Sequence, residues 1–224
     1  GEILGIAGVA GNGQKELAEV ITGLRRSTKG KLQISGEDMT NRSPREIIRR
    51  GVAHIPQDRT SVGAVGDLSV ASNLAMKRYR SKPLAAGFFL LPKRMLDLAR
   101  ILIEKFRIST PSPKTQIKFL SGGNIQKTIL AREIEAAKSV MVAVYPSRGL
   151  DVGATETVHR LLVSQRDAGL GVLFFSEDLD ELLQISDRVA VLFEGRIMGI
   201  FDTNAVTIDR LGMLMAGMTE EADA

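Results

Sequence analysis

Residues 120–127 decide the fold class, and they read Leu120-Ser121-Gly122-Gly123-Asn124-Ile125-Gln126-Lys127. The segment that follows, through Ile129 and Ile134, predicts a helix that begins at Ser121. A serine and two glycines at a helix N-terminus offer a hydroxyl, unobstructed backbone amides and the positive end of the helix dipole. Such a helix end suits a γ-phosphate, and an ordinary capped helix is the alternative interpretation.

A second glycine-rich segment near the start of the chain reads Gly8-Val9-Ala10-Gly11-Asn12-Gly13-Gln14-Lys15. It lies between a strand pattern at residues 2–7 and a helical pattern at residues 16–24, which is the context of a phosphate-binding P-loop. A P-loop has lysine directly after its last glycine to reach the phosphates, then serine or threonine to ligate magnesium. Here those two positions hold Gln14 and Lys15. The backbone at Gly11 and Gly13 still permits an anion-binding nest of amides, although tight packing of helix on sheet also selects glycine.

The stretch at residues 120–127 is similar to the LSGGQ signature of ATP-binding cassette (ABC) ATPases, with asparagine in the fifth place. In that family the signature helix faces the P-loop of the opposite domain in a head-to-tail dimer. The resemblance implies that the residues serving the partner's ATP are Ser121, Gly122, Gly123, Asn124 and, in the match to the D-loop, Asp151. It implies that the chain's own nucleotide-binding residues are Gly8, Gly11, Asn12, Gly13, Gln14, Lys15 and, in the match to the Q-loop, Gln57.

The same resemblance locates the catalytic positions of the chain's own site, and none of them holds the family's residue. The magnesium-linked aspartate is replaced by Val144 and the catalytic glutamate by Tyr145. Valine has no metal ligand, and a tyrosine side chain, which ordinarily titrates near pH ~10, is a poor base at neutral pH. Glu177 stands where the family has a histidine that contacts the γ-phosphate, and it brings negative charge towards that phosphate. Together with Gln14 and Lys15, these departures predict that the chain's own site has no intact catalytic residue. They also predict that the isolated domain hydrolyses ATP very slowly or not at all.

Composition is that of a folded domain, with 44% hydrophobic residues, 30 basic and 26 acidic side chains, and no cysteine. The charges are scattered without interleaved aromatics, so solvated faces are favoured over a nucleic-acid patch. The absence of cysteine excludes disulfides and thiolate metal sites, and the isolated His54 and His159 predict no metal site either. The apolar stretch at residues 84–91 is far shorter than the roughly 20 residues that span a bilayer. For this stretch a buried or intersubunit position is favoured over lipid contact.

Strand and helix patterns alternate in the first and last parts of the chain, and a helical region lies between them. With the resemblance, this predicts an α/β fold: a P-loop NTPase (RecA-like) core at residues 1–60 and 138–224 with an inserted α-helical ABC subdomain at residues 61–137. The polar residues 219–224 are expected to form a frayed tail.

The combination of motifs resembles, more narrowly, the second of two fused nucleotide-binding domains in sugar and nucleoside importers. This implies ATP as the cofactor, with Mg²⁺ in doubt at the chain's own site. The implied partners are a second ABC nucleotide-binding domain fused on the N-terminal side, transmembrane permease subunits and, indirectly, a periplasmic or lipoprotein solute-binding protein, with no nucleic acid. The implied location is peripheral, at the cytoplasmic face of the cell membrane. Two functions stay open: an ABC-type ATPase domain that couples ATP binding and hydrolysis to transport, and a non-hydrolytic scaffold that docks the membrane subunit through Gln57 and the helical region.

Overall fold

The computed structural model describes residues 1–87 and 89–218 of the chain, so the expected frayed tail at residues 219–224 lies outside the described residues. The strands are β1 Glu2–Ala7, β2 Gln33–Ile34, β3 Glu37–Asp38, β4 Val52–Ile55, β5 Ala85–Ala86, β6 Phe89–Leu90, β7 Val140–Val144, β8 Gly171–Ser176, β9 Arg188–Phe193 and β10 Arg196–Asp202. The α-helices are α1 Gln14–Ile21, α2 Pro44–Arg49, α3 Val70–Ala75, α4 Pro92–Lys105, α5 Gly122–Ala136, α6 Val152–Asp167, α7 Leu179–Ile185 and α8 Ile208–Met215. Short 3₁₀ or π turns are formed by Arg59–Gly63, Ile117–Phe119 and Thr203–Ala205.

The principal sheet has the strand order β10-β9-β1-β8-β7-β4. Strand β1 runs parallel to both β8 and β9, β7 runs parallel to β8, and β10 is the antiparallel neighbour of β9. The central strands read as near-continuous apolar runs because both faces of a parallel sheet are covered by other elements. The predicted α/β fold with a parallel sheet is therefore confirmed.

Two helix starts show how local sequence sets the element boundaries. At α2 the side chain of Ser43 accepts a hydrogen bond from the Glu46 backbone, the Glu46 carboxylate accepts one from the Ser43 backbone, and Pro44 is the first helical residue. This capping box also holds the pKa of Glu46 below its ordinary value, chiefly through the hydrogen bond from the Ser43 side chain. At α3 the Ser69 hydroxyl accepts from the Ser72 backbone at 3.1 Å. At both starts a serine occupies the N-cap position that its side chain favours.

The chain divides into two compact units. Unit 1 comprises Gly1–His54, Lys138–Tyr145 and the residues from His159 onward, and unit 2 comprises Ile55–Ala137 and Pro146–Val158. The core of unit 1 is formed by apolar side chains of the sheet and its helices, including Ile6, Val142, Phe175 and Leu192. In unit 2, α3 packs against α4 and α5. The functional subdomain boundaries at residues 61 and 138 stay a prediction.

The middle of the chain is not exclusively helical, which corrects the expectation for residues 61–137. Strands β5 and β6 pair antiparallel there, with Ala85 opposite Leu90. Helix cannot continue through this stretch because Pro83 and Pro92 bracket it and Gly87 turns the chain with φ 60°. Within residues 1–87 and 89–218, no helix combines the length and apolar character that crossing a bilayer requires.

Candidate functional site

The glycine-rich loop at residues 8–15 connects β1 to α1 in unit 1. Gly11 and Gly13 have φ values of 95° and 109°, a left-handed backbone that glycine adopts without steric cost. A Cβ added at Gly11 would meet no atom within 4 Å, so open space adjoins this backbone. The loop thus has the backbone features of the anion-binding nest that the sequence predicts.

Gln14 changes the chemistry of this loop. Its side chain is only 2% exposed, and its Nε2 donates a hydrogen bond to the Val9 carbonyl at 3.0 Å. A Cβ at Gly8 would lie 2.3 Å from the same nitrogen, so the Gln14 amide uses the room that Gly8 leaves. The position after the last glycine therefore carries a neutral amide that is already bonded within the loop, and it supplies no cation for a phosphate.

Asn12 ties the loop to the turn between β9 and β10. Its Oδ1 accepts from the Glu194 backbone at 3.1 Å, and its carbonyl accepts from the Gly195 backbone at 2.8 Å. Sequence reasoning placed Asn12 among the nucleotide-binding residues but did not anticipate this tether, because its partners lie more than 180 residues away along the chain.

The residues expected at a magnesium ion do not fit one. Lys15 is exposed, and its Nζ lies 3.9 Å from Glu19 Oε1 on the surface of α1. Val144 is buried at the end of β7, and its side chain has no ligand atom. Tyr145 follows it with φ 46°, a buried side chain and a backbone N–H bonded to the Phe175 carbonyl. These residues provide no carboxylate, so no metal-dependent step is assigned to this site.

The structure brings the loop and the altered catalytic positions to one edge of the sheet. In the register, Ala7 of β1 lies opposite Ser176 of β8, and Val144 of β7 lies opposite Phe175 of β8. Because these strands run parallel, the loop, Tyr145 and the exposed Glu177 all follow carboxyl ends at the same edge of the sheet. Adjacent strands are separated by about 4.8 Å, so these segments are neighbours. This is the edge at which open α/β sheets bind ligands.

A hydrogen-bond network holds the turn that carries Glu177. The Ser176 hydroxyl donates to the Glu181 carboxylate and accepts from the Asp178 backbone at 3.1 Å. The other Glu181 oxygen lies 2.6 Å from His159 Nε2. His159 thus has a structural partner that the sequence did not reveal, because α6 and α7 approach each other only in the fold.

The signature segment forms the start of α5 in unit 2. Ser121 is the exposed N-cap residue, yet its side chain makes no capping hydrogen bond to the helix backbone. Its Oγ accepts from Asn124 Nδ2 at 2.9 Å, and Asn124 Oδ1 accepts from the Ser109 backbone at 2.8 Å. The Ser121 side chain therefore does not cap the helix, and the choice between a phosphate-facing helix end and an ordinary capped helix stays a prediction.

Within residues 1–87 and 89–218, no backbone strain or close contact requires glycine at positions 122 and 123. Neither residue has a positive φ. A Cβ at Gly122 would lie 3.5 Å from Arg59 Nη1, and one at Gly123 would lie 3.9 Å from Ala154 Cβ, which are ordinary contact distances. Glycine disfavours a helix by up to about 1 kcal/mol relative to alanine. No packing contact within the described residues compensates for this cost. The two glycines leave the N-terminal end of α5 open to a group from outside the chain.

Arg59 joins the signature to the loop that follows β7, and sequence reasoning missed it. Its Nη1 donates to the Gly122 carbonyl at 3.5 Å and its Nη2 donates to the Arg148 carbonyl. These partners lie 63 and 89 residues away along the chain, so no local pattern indicates the role. The neighbouring Asp58 has a pKa well below its ordinary value, first because Ser61 donates its hydroxyl and then because backbone amides do. The ionised Asp58 caps the turn from which Arg59 extends.

The remaining predicted residues of unit 2 are also exposed. Gln57 follows β4 by two residues and is open to solvent. Asp151 is exposed, and its Oδ1 accepts from the Ala154 backbone at 2.8 Å, so it caps α6. The buried Gln126 donates to the Pro146 carbonyl at 2.7 Å and, like Arg59, holds the loop at residues 146–151 against α5. In unit 2, hydrogen bonds from Arg59 and Gln126 therefore hold the signature segment and the D-loop segment next to each other at the surface.

Comparison with known proteins agrees with these motifs. A family model described as "ABC transporter" matches residues 1–143. The chain is 46% identical over 221 residues to the guanosine import ATP-binding protein NupO of Bacillus subtilis (strain 168), covering 99% of this chain and 43% of that protein. It is 45% identical over 221 residues to the glucose import ATP-binding protein TsgD13 of Haloferax volcanii, covering 97% of this chain and 40% of that protein. The chain thus spans less than half the length of these relatives.

The fold is also that of solved cassettes. The dimeric post-hydrolysis structure of the ATP-binding cassette MJ0796 with ADP and Pi is similar with a TM-score of 0.76 at 18% identity, covering 92% of this chain and 87% of that one. This likeness confirms the predicted P-loop NTPase fold. Since the family model covers more than half of the chain and the two relatives are similar over nearly all of it, the chain is an ATP-binding domain of the ABC transporter family.

Proposed function

We propose that this chain is the ATP-binding cassette domain of a sugar or nucleoside import system, and that its signature helix completes the ATP site of a second cassette. The relatives named for guanosine and glucose import support the solute class. The chain covers 43% and 40% of those proteins, which leaves enough length for a second cassette of similar size. We place the assembled protein at the cytoplasmic face of the membrane, held there by permease subunits.

The observation that carries the proposal is the bare start of α5. The Ser121 side chain is exposed and caps no helix amide, and no contact among the described residues explains why positions 122 and 123 are glycine. A γ-phosphate approaching from another domain would meet the hydroxyl, the free amides and the positive helix end together. Donors aimed at developing phosphate charge contribute strongly to catalysis where water is excluded.

The chain's own loop supports a division of labour between two sites. The backbone at Gly11 and Gly13 can hold phosphates, but Gln14 adds no charge, and the end of β7 offers neither a metal ligand nor a carboxylate base. We infer that this site binds ATP weakly and hydrolyses it slowly or not at all. Energy coupling then passes through the partner's site.

The test uses the longer protein that contains this chain, reconstituted with its permease. Ser121→Glu places bulk and negative charge where the phosphate would lie, and we expect ATP turnover and solute uptake to fall at least tenfold. Ser164→Glu makes the same change at an exposed serine on α6 outside the signature, and it should leave both rates near those of the parent. Unchanged turnover in the Ser121 variant would defeat the proposal.

A second candidate is a scaffold that docks the permease without closing on nucleotide. The buried Gln14 amide bonded inside the loop favours it, because a loop satisfied internally gains less from phosphate. This function predicts that ATP does not change the association of the two cassettes. Sedimentation velocity with and without ATP discriminates: ATP-dependent closure excludes the scaffold, whereas unchanged sedimentation with intact permease binding supports it.

A further inference from the structure

The β5–β6 hairpin of unit 2 has a buried base at Leu84 and two exposed apolar side chains, Phe89 and Leu90, which we call its tip. Leu84 is fully buried, and its carbonyl accepts from the Leu91 backbone at 2.9 Å, which closes the base. Beyond this bond, Ala86 pairs with Phe89, whose side chain is 78% exposed, and Leu90 is 48% exposed. Of the two positions expected for residues 84–91, the buried one holds at Leu84 but not at Phe89 and Leu90, and the intersubunit one stays a prediction. Nothing in the described part of the chain covers this tip.

Four cations flank the hairpin on both sides of its base. Arg80 and Lys82 precede β5, Lys93 and Arg94 open α4 directly after β6, and all four are exposed. Residues 77–96 contain no aspartate or glutamate. None of the four cations forms a salt bridge with a carboxylate in residues 1–87 or 89–218, whereas the preceding Lys77 and Arg78 pair with acidic residues of α5. We call this hairpin with its four cations the basic hairpin.

The two properties together specify the surface that would complement them. An acidic protein surface would neutralise the cations but would leave Phe89 and Leu90 without an apolar environment. An anionic bilayer offers both, because negative headgroups lie above an acyl region that accepts shallow apolar side chains. With only two residues in each strand, the hairpin can reach into the interface but cannot cross the membrane.

We propose that the basic hairpin inserts its tip into the surface of an anionic membrane and holds unit 2 there. Membership of the ABC transporter family places a bilayer within reach of the assembled protein. This contact is separate from any docking on a permease and requires no nucleotide. Each cation near an anionic surface contributes roughly fivefold to partitioning, and the apolar tip adds to it.

The absence of tryptophan from the chain makes insertion directly observable. Phe89→Trp in the 224-residue chain places a single fluorophore at the tip, and Phe119→Trp is the matched control. Phe119 is 72% exposed, like Phe89, and Lys118 Nζ lies 5.4 Å from its ring centre, so the control tests an exposed aromatic with a cation nearby. With phosphatidylcholine vesicles containing about 30% phosphatidylglycerol, we expect a blue shift and quenching by brominated acyl chains only for the Phe89 variant.

Charge and competition experiments complete the test. Adding Lys82→Glu and Lys93→Glu to the Phe89→Trp chain should weaken vesicle binding by at least about 25-fold, and raised salt should weaken the parent's binding through screening. Equal shifts for both tryptophan variants, or binding that survives the charge reversals, would overturn the proposal. A blue shift with soluble polyglutamate and none with vesicles would overturn it in favour of an acidic protein partner. Circular dichroism verifies that each variant is folded.

Discussion

Removal of the Glu133 carboxylate should destabilise unit 2 because Glu133 is the buried anion that anchors the signature helix. It lies on α5, 0% exposed, where its carboxylate accepts from Arg132 Nε at 2.8 Å and pairs with Lys77. The side chains of Arg132 and Lys77 are only 7% and 15% exposed. Glu133→Gln preserves the size of the side chain but leaves both cations without this carboxylate. Breaking a buried ion pair from one side costs about 3–5 kcal/mol.

Glu135 on the same helix provides a matched control. It is 25% exposed and pairs with Lys105 at 2.7 Å and Arg78 at 3.6 Å, where water screens the charges. Glu135→Gln removes the same charge from the same helix turn, and it should cost no more than about 1 kcal/mol. The difference between the two variants therefore measures burial, with net charge held equal.

Hydrogen exchange of the α5 amides measures the opening of this helix directly. At about 1.4 kcal/mol per factor of ten, protection should fall roughly 100- to 4000-fold in Glu133→Gln and less than about tenfold in Glu135→Gln. Adding Lys77→Met to Glu133→Gln removes a stranded cation and should recover part of the loss. Equal losses for the two glutamates, or a double variant as unstable as the sum of its parts, would refute the electrostatic reasoning.

Three further outcomes are expected. Arg59→Ala should lower ATP turnover of the longer protein about tenfold. Arg59→Lys should restore little of this turnover, because an ammonium cannot bridge the two carbonyls as a guanidinium does. Full activity in the lysine variant would contradict this reasoning. Gln14→Lys should tighten binding of a fluorescent ATP analogue to this chain without producing hydrolysis, since the end of β7 still lacks carboxylates; phosphate release above background would show the error. Because the pKa of Glu46 is lowered from its ordinary value of 4.5, its carboxylate stabilises α2 at pH values above 4.5, and this stability is lost as the pH falls through the lowered pKa. Ser43→Ala should raise the pKa of Glu46 in an NMR titration. An unchanged pKa would count against the capping box.

Local patterns in the sequence were sufficient for the features that depend on neighbouring residues. The strands at Val140–Val144 and Arg188–Phe193 follow from apolar runs, and α2 follows from a serine and proline at its start. Gly11 and Gly13 indicate a left-handed loop, and Ser121 with its glycines indicates an open helix end, because each depends on backbone freedom over a few residues. The strand at Gln33–Ile34 is only two residues long because Ser35 leaves the extended conformation with φ 50°.

What required the folded chain is every contact between distant segments. Arg59 finds its carbonyl partners 63 and 89 residues away, and Lys77 meets Glu133 across 56 residues. The burial of the Gln14 amide and the exposure of Phe89 are likewise consequences of packing, since composition does not specify which side chains the fold covers. Sequence identifies the groups that can bind phosphate because their chemistry is local. Only the folded structure determines which of these groups are held in place by hydrogen bonds, which are already hydrogen-bonded within the chain and which are exposed. These properties depend on neighbours that are remote along the chain.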